Sequence, residues 1–274
     1  MSEKYCVIGN PIAHSRSPEI HTRFAAQTGQ DISYERCLAP VDGFAETIQR
    51  LVAEGYKGAN VTVPFKLQAA QLATVLSDRA RAAGAVNTLR FADGQIFGDN
   101  TDGPGLVADI VKNAGVSLQD KRVLILGAGG AARGALLPIL RERPHCIVIA
   151  NRTRATADSL AQQFGQHAER ADQVRATGFE DIAGPFDVII NATSASLAAE
   201  LPPVPASAFS KDTLALDMMY ADKPTVFMEF ASKHGATTRD GLGMLVEQAA
   251  EAFALWRGVR PETGELLKAM RSQS

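Results

Sequence analysis

Along the chain, short apolar runs alternate with longer segments whose apolar positions recur at helical spacing. The run at 123–126 (VLIL) is too short for a helix and suits a strand buried on both faces. The residues after it, 131–141, are rich in Ala, Leu and Arg and favour helix. Nearer the start, 5–8 reads as a strand ending at the turn Gly9-Asn10-Pro11. A helix is predicted next, with Ser17 as N-cap, Pro18 in its first turn, and Ile20 and Phe24 on its apolar face. The alternation continues with a strand at 33–38, a helix at 44–54 ending at Gly55, and a strand at 59–63 stopped by Pro64. Phe65 and Lys66 lie just beyond that stop. A capped helix at 77–83 precedes 85–97, which has strand composition broken by Asp93-Gly94, a hairpin signal.

Strands alternating with helices to residue 100 predict a mainly parallel α/β layer that ends in a hairpin. The turn-rich stretch 98–105 (GDNTDGPG) is the expected crossing into a second domain, with a hinge near 100–105, and a helix at 106–113 enters that domain. Further strands at 146–150, 187–191 and 214–218 continue the α/β pattern there. Pro138 falls inside the helix after the glycine turn and predicts a kink, while three prolines in 200–207 predict a surface loop. In 242–258, Met244, Leu245, Gln248, Ala249, Ala252, Phe253, Leu255 and Trp256 follow helical spacing. Gln248 therefore shares an apolar face, where its amide needs either a core hydrogen bond or a ligand cleft.

The glycine turn supplies the first chemistry. Gly127, Gly129 and Ala132 form G-x-G-x-x-A between a predicted strand and a predicted helix. Unpaired N–H groups at such a helix start face a diphosphate, and missing side chains let the ligand approach the backbone. The next strand (CIVIA, 146–150) ends where an NAD site usually carries an acidic residue for the ribose hydroxyls. Here it is followed by Asn151-Arg152-Thr153-Arg154. Two guanidiniums suit a 2′-phosphate that an acid would repel, so NADP(H) is the expected cofactor.

Composition narrows the setting. Apolar content of 46% and charged content of 21% are those of a globular protein, and a formal charge of −2 offers no general attraction to nucleic acid or anionic membrane. The first residues lead straight into a strand without a signal segment, and no apolar run reaches membrane-spanning length. Cys6, Cys37 and Cys146 are odd in number and sit in apolar surroundings, which suits reduced thiols; the histidines show no metal spacing. A cytoplasmic, metal-free protein is the expectation.

Polar clusters fall at predicted strand ends: Ser15/Ser17, then Asn60/Thr62/Lys66, then Asn87/Thr88 with Thr101/Asp102. So many neutral donors and acceptors suit a polyhydroxylated small molecule, although each has an ordinary explanation as a cap, a turn residue or a solvated charge. A nicotinamide enzyme acting on a carbonyl must also protonate the oxygen that gains charge. Without a zinc site, Lys66 paired with Asp102 is the economical candidate.

In order, the stretches GNPIAHSRSPEIH (9–21), NVTVPFK (60–66), GAVNTL (84–89), GDNTDG (98–103), GAGGAA (127–132), NRT (151–153), NATS (191–194), DMMY (217–220) and DGLGMLVEQ (240–248) resemble the shikimate dehydrogenase family over nearly the whole chain. The resemblance implies NADPH-dependent reduction of 3-dehydroshikimate to shikimate, in aromatic amino-acid biosynthesis. It implies Lys66 as general acid/base beside Asp102, and Ser15 and Ser17 on the substrate carboxylate. Thr62, Asn87, Asp102 and Gln248 would take the hydroxyls, with Tyr220 reaching toward them. Gly127, Ala128, Gly129, Gly130 and Ala131 would cradle the diphosphate. Asn151, Arg152, Thr153 and Arg154 would clasp the 2′-phosphate, Met218 and Gly241 would lie near the nicotinamide, and Asp78 would sit on the cofactor side. The implied architecture is an α/β substrate domain (1–103 with 242–274) and a Rossmann-type NADP domain (104–241), the C-terminal helix returning to the first. A homodimer is compatible with it.

One position departs from the family pattern: Ser196 stands where a glycine is common, and would be strained if that site needs a positive φ. Two rival readings remain open, a quinate/shikimate dehydrogenase preferring NAD and a non-catalytic NADP-binding sensor that need not keep Lys66 and Asp102.

Overall fold

The first apolar run becomes β1 (Glu3–Gly9), buried from Tyr5 onward, and the chain winds its first layer around it. In the computed structural model, which describes residues 2–272, the succeeding elements are α1 (Ser17–Thr28), β2 (Ile32–Leu38), α2 (Phe44–Ala53), β3 (Gly58–Val61), α3 (Lys66–Leu72), β4 (Val75–Leu76), α4 (Asp78–Ala83), β5 (Thr88–Ala92) and β6 (Gln95–Asp99). They form a six-stranded sheet in the order β2-β1-β3-β5-β6-β4. β1 pairs in parallel with β2 and β3, then β5 and β6 turn the sheet antiparallel. The hairpin joining those two strands has φ of +54° at Asp93 and +71° at Gly94, the double positive φ that a twist-matched two-residue turn needs. One face of this sheet buries Ile8, Phe44, Ile48, Phe65, Val86 and Leu89.

The second layer follows α5 (Asp102–Ala108) and a π turn at Asp109–Asn113. Its elements are β7 (Arg122–Leu126), α6 (Gly130–Arg141), β8 (Cys146–Ala150), α7 (Arg154–Gly165), β9 (Val174–Thr177), β10 (Val188–Asn191), β11 (Leu214–Asp217), α8 (Val226–Lys233) and β12 (Thr237–Arg239). All pairings are parallel, in the order β12-β11-β10-β7-β8-β9. Chain order thus reverses between β7 and β10, the doubly wound Rossmann arrangement, whose ligand crevice opens at the carboxyl ends of those strands. α9 (Leu242–Arg257) and α10 (Gly264–Arg271) complete the chain. Residues up to Gly105 together with those from Leu245 onward form one compact unit, and Leu106–Met244 form the other. No helix of the described residues is long and apolar enough to cross a membrane.

Several expectations are corrected. Ser17 is not the N-cap of α1: that position falls to Arg16, which offers no side-chain cap, and Ser17 is already the first helical residue. The turn closed by Ser15 N–H on the Ile12 carbonyl (3.1 Å) brings the chain into helix early. β3 ends at Val61, because the Phe65 N–H closes a turn on the Thr62 carbonyl (3.0 Å) before Pro64 could have continued the ladder. The helix expected at 106–113 starts instead at Asp102. There the Asn100 Oδ1 accepts from the Asp102 N–H (3.2 Å), and the acid itself favours the positive helix end. Pro104 sits in that first turn, where a missing N–H costs nothing. Cys37, unlike Cys6 and Cys146, is only half-buried, because it lies on edge strand β2.

Candidate active site

In the first unit, the ends of β3, β5 and β6 deliver polar residues to one place. Lys66, at the start of α3, donates from Nζ to Asp102 Oδ2 at 2.7 Å, with both side chains partly buried. The other carboxylate oxygen, Oδ1, accepts from Asn87 Nδ2 at 2.9 Å. The orientation of the Asn87 amide is decided by its far side. Its Oδ1 accepts from the Thr101 N–H (2.8 Å) and from the hydroxyls of Thr88 (2.9 Å) and Thr101 (3.2 Å). A backbone N–H can only donate, so Nδ2 must face Asp102. Asp102 is thereby held with one oxygen committed to an amide and the other to an ammonium.

Gln248, on the part of α9 that belongs to this unit, joins the same cluster. Its Oε1 accepts from Asn87 Nδ2 (3.4 Å) and, 3.3 Å from Thr101 Oγ1, is an alternative acceptor for that hydroxyl, while its Nε2 donates to the Leu245 carbonyl (2.9 Å). Asn60 extends the network outward: its Nδ2 donates to Thr88 Oγ1 (3.1 Å), and its Oδ1 accepts from the Tyr34 hydroxyl (2.7 Å). Ser15 and Ser17 sit at the start of α1, where the Ser15 hydroxyl accepts from the Ser17 N–H at 3.3 Å. Thr62 is half-buried in the turn after β3, its N–H spent on the Ile8 carbonyl (2.9 Å). Asp78 opens α4 as an exposed residue paired with Arg81 at 3.6 Å, outside the Lys66 cluster.

In the second unit, Gly127 has φ of +100°, and a Cβ there would lie 3.2 Å from the Ala192 carbonyl oxygen. Only glycine turns the chain here without strain. Gly129 caps α6 without a side-chain bond, and a Cβ at Gly129 or Gly130 would meet nothing within 4 Å. With Ala131 exposed beside them, the helix start is an open cradle of N–H groups, the donor set a diphosphate takes. Ala128 is buried under the turn.

After β8, Arg152 and Arg154 are exposed; Arg154 lies 3.5 Å from Asp181 and 3.8 Å from Asp158, and the Asn151 Nδ2 braces the loop on the Thr153 carbonyl (2.9 Å). The exposed guanidiniums of Arg152, on the loop after β8, and Arg154, the first residue of α7, fit a phosphorylated ribose. Met218 is half-buried and Tyr220 exposed just past β11. A Cβ on Gly241 would fall 2.2 Å from the Met218 carbonyl oxygen, so that close approach requires glycine.

The strain expected at Ser196 does not occur. The left-handed residue of that loop is Ala199, with φ of +54°. Ser196 instead donates to Asp217 Oδ2 (2.6 Å) and accepts from Asn191 Nδ2 (3.1 Å). Buried Asp217 also accepts from the Thr225 hydroxyl (2.7 Å) and the Met219 N–H (3.0 Å), so one carboxylate pins the loops after β10 and β11. Neither this hub nor the Asp109–Arg239 pair (2.6 Å) that braces the π turn was foreseeable from pattern. Their only sequence signal was acids in otherwise apolar stretches.

The chain matches three family profiles: the shikimate dehydrogenase substrate binding domain over residues 7–89, shikimate / quinate 5-dehydrogenase over 109–200, and the shikimate 5'-dehydrogenase C-terminal domain over 241–271. It is 59% identical over 273 residues to a protein of Herminiimonas arsenicoxydans named shikimate dehydrogenase (NADP(+)), covering 100% of this chain and 98% of that one. Among solved structures, an Ael1 enzyme from Pseudomonas putida superposes with a TM-score of 0.93 at 46% identity, covering 98% of each chain. The shikimate 5-dehydrogenase of Thermus thermophilus, solved in complex with NADP(H) and shikimate, gives 0.87 at 32% identity, covering 99% of this chain and 100% of that one.

Proposed function

The chain belongs to the shikimate dehydrogenase family, and from that premise we propose that it catalyses the reversible, NADPH-dependent reduction of 3-dehydroshikimate to shikimate. The observation that carries this is the Lys66–Asp102 contact of 2.7 Å, with the second carboxylate oxygen tied to Asn87. When bound, the nicotinamide supplies the hydride. The Lys66 ammonium stands ready to give a proton to the oxygen on which charge develops, and in the reverse direction its amine takes the proton back. Asp102 keeps the ammonium in place and shares its electrostatic field with the reacting oxygen.

The two units divide the labour in this reading. The first, built on β1–β6 with α9 from Leu245, holds the substrate: Ser15 and Ser17 its carboxylate, Thr62, Asn87, Asp102 and Gln248 its hydroxyls; Tyr220 is a further proposed substrate residue. The second unit holds NADP(H) through Gly127–Ala131 and Asn151–Arg154, with Met218 and Gly241 toward the nicotinamide; Asp78, on α4 of the first unit, is a further proposed cofactor residue. Unpaired Cys6, Cys37 and Cys146 accord with a cytoplasmic setting. The test is an absorbance assay at the reduced-nicotinamide band, pairing shikimate and quinate each with NADP+ and NAD+. Fast turnover of shikimate with NADP+ is expected. Tight cofactor binding without turnover would leave a sensor, and turnover confined to NAD+ would overturn the cofactor reading.

A further inference from the structure

β2 is an edge strand, and alternation along it puts Tyr34 and Arg36 on one face and Cys37 on the other. Tyr34 tucks under α1, where the His21 ring stacks on it at 4.3 Å. Two residues on, Arg36 reaches the loop ahead of the same helix. Its Nε and Nη2 both donate to the Ser15 carbonyl oxygen, at 3.1 and 2.6 Å. The fork of a guanidinium is matched to two anionic oxygens, yet here it grips one neutral carbonyl.

The neighbouring cations are already neutralised. Arg16 and Arg23 both pair with Glu19, at 3.6 and 3.0 Å. Glu35, next to Arg36, accepts from the Tyr56 hydroxyl. Among the described residues, no carboxylate forms an ion pair with Arg36. An exposed guanidinium with spare N–H groups is therefore anchored at the turn that carries Ser15 and leads to buried Ser17. Two hydroxyls can orient a carboxylate, but neither offsets its charge.

We propose that Arg36 is a specificity-determining residue for the substrate carboxylate, positioning the Ser15 turn and supplying the positive charge that the two serines lack. The inference rests on the function proposed above and deepens it: the site selects an anionic polyhydroxylated ring over its uncharged counterpart. Because Arg36 acts on the carboxylate end, far along the ring from the proton that Lys66 moves, its removal should cost binding and spare the chemistry.

The experiment measures shikimate and shikimate methyl ester oxidation at saturating NADP+ for wild type, Arg36→Gln and Arg36→Lys, at low and raised salt. For Arg36→Gln, KM for shikimate should rise about tenfold with kcat within about twofold, and the acid-to-ester ratio of kcat/KM should fall by a similar factor. Wild-type kcat/KM for the acid should decline with salt, and Arg36→Gln should flatten that slope. Arg36→Lys should recover part of both. Equal losses on acid and ester, or an unchanged KM, overturn the inference while leaving the enzyme's function standing. A wild type without shikimate turnover sinks the proposed function and this inference together. Should Arg36→Gln not fold, Arg36→Met takes its place under the same readings: a raised KM for the acid with a reduced acid-to-ester ratio sustains the inference, and kinetics equal to the wild type overturn it.

Discussion

At the scale of single residues, the site depends on which oxygen of Asp102 faces which donor. Asn87 takes one and Lys66 the other, so neither partner is free to drift. Under the proposed mechanism, Lys66→Ala removes the proton donor but leaves the hydroxyl-binding amides in place. Turnover should fall by about two or more orders of magnitude with substrate still bound, read as kcat beside a direct binding titration. A kcat near the wild-type value would take Lys66 out of the chemistry. The cofactor preference also lies in single side chains. Arg152→Asp places an acid where the 2′-phosphate is proposed to sit, and the ratio of kcat/KM for NADPH over NADH should drop about a hundredfold or reverse. An unchanged ratio would move the phosphate clasp elsewhere.

At the scale of elements, strand ends and helix starts carry the chemistry because the glycine turn between β7 and α6 leaves N–H groups unspent. Gly127→Ala adds a Cβ at φ of +100° and pushes it to 3.2 Å from the Ala192 carbonyl and the Thr193 methyl. Strain of this kind costs about 1–2 kcal/mol. The variant should therefore melt a few degrees lower and show KM for NADPH raised several-fold, with KM for the second substrate little changed. Most of this element was legible in the chain, since VLILGAGGAARG spells strand, turn and helix locally. The loops after β10 and β11 were not. Their conformation depends on Asp217 accepting from Asn191, Ser196 and Thr225, residues up to 26 positions away.

At the scale of the whole molecule, stability is tied to pH through a group outside the chemistry. His21 is fully buried among Tyr34, Phe24, Phe253 and Trp256, with the Asn60 side chain beside its ring as a weak opposing influence. Burial pushes its pKa from 6.5 down to about 3. The folded protein therefore keeps the ring neutral, while the unfolded chain takes up a proton below about 6.5. Stability contributed by this site is present above that value and is lost as pH falls toward 3. Denaturant melts from pH 7 down to about 4 should show stability declining on the acid side, and His21→Phe should flatten that decline. Parallel curves for the two proteins would assign the acid sensitivity to other groups. Asp99, held below the carboxylate range by Arg79 and Ser77 against the upward push of burial, contributes in the same direction at lower pH.

What the chain determined by itself was local: the alternation of strand and helix, the glycine turn, the arginines after β8, and the order of the polar clusters. These follow from steric propensity and from the periods of strand and helix, which act over a few residues. Only the tertiary structure decided partners. It oriented the Asn87 amide, gave Gln248 its place beside Thr101, relieved Ser196 of the strain its position suggested, and sent Arg36 from an edge strand to the Ser15 carbonyl. A side chain's period tells which face it occupies, but hydrogen bonds are satisfied by whatever the packed fold brings within about 3 Å, and that is settled by contacts between residues far apart in sequence.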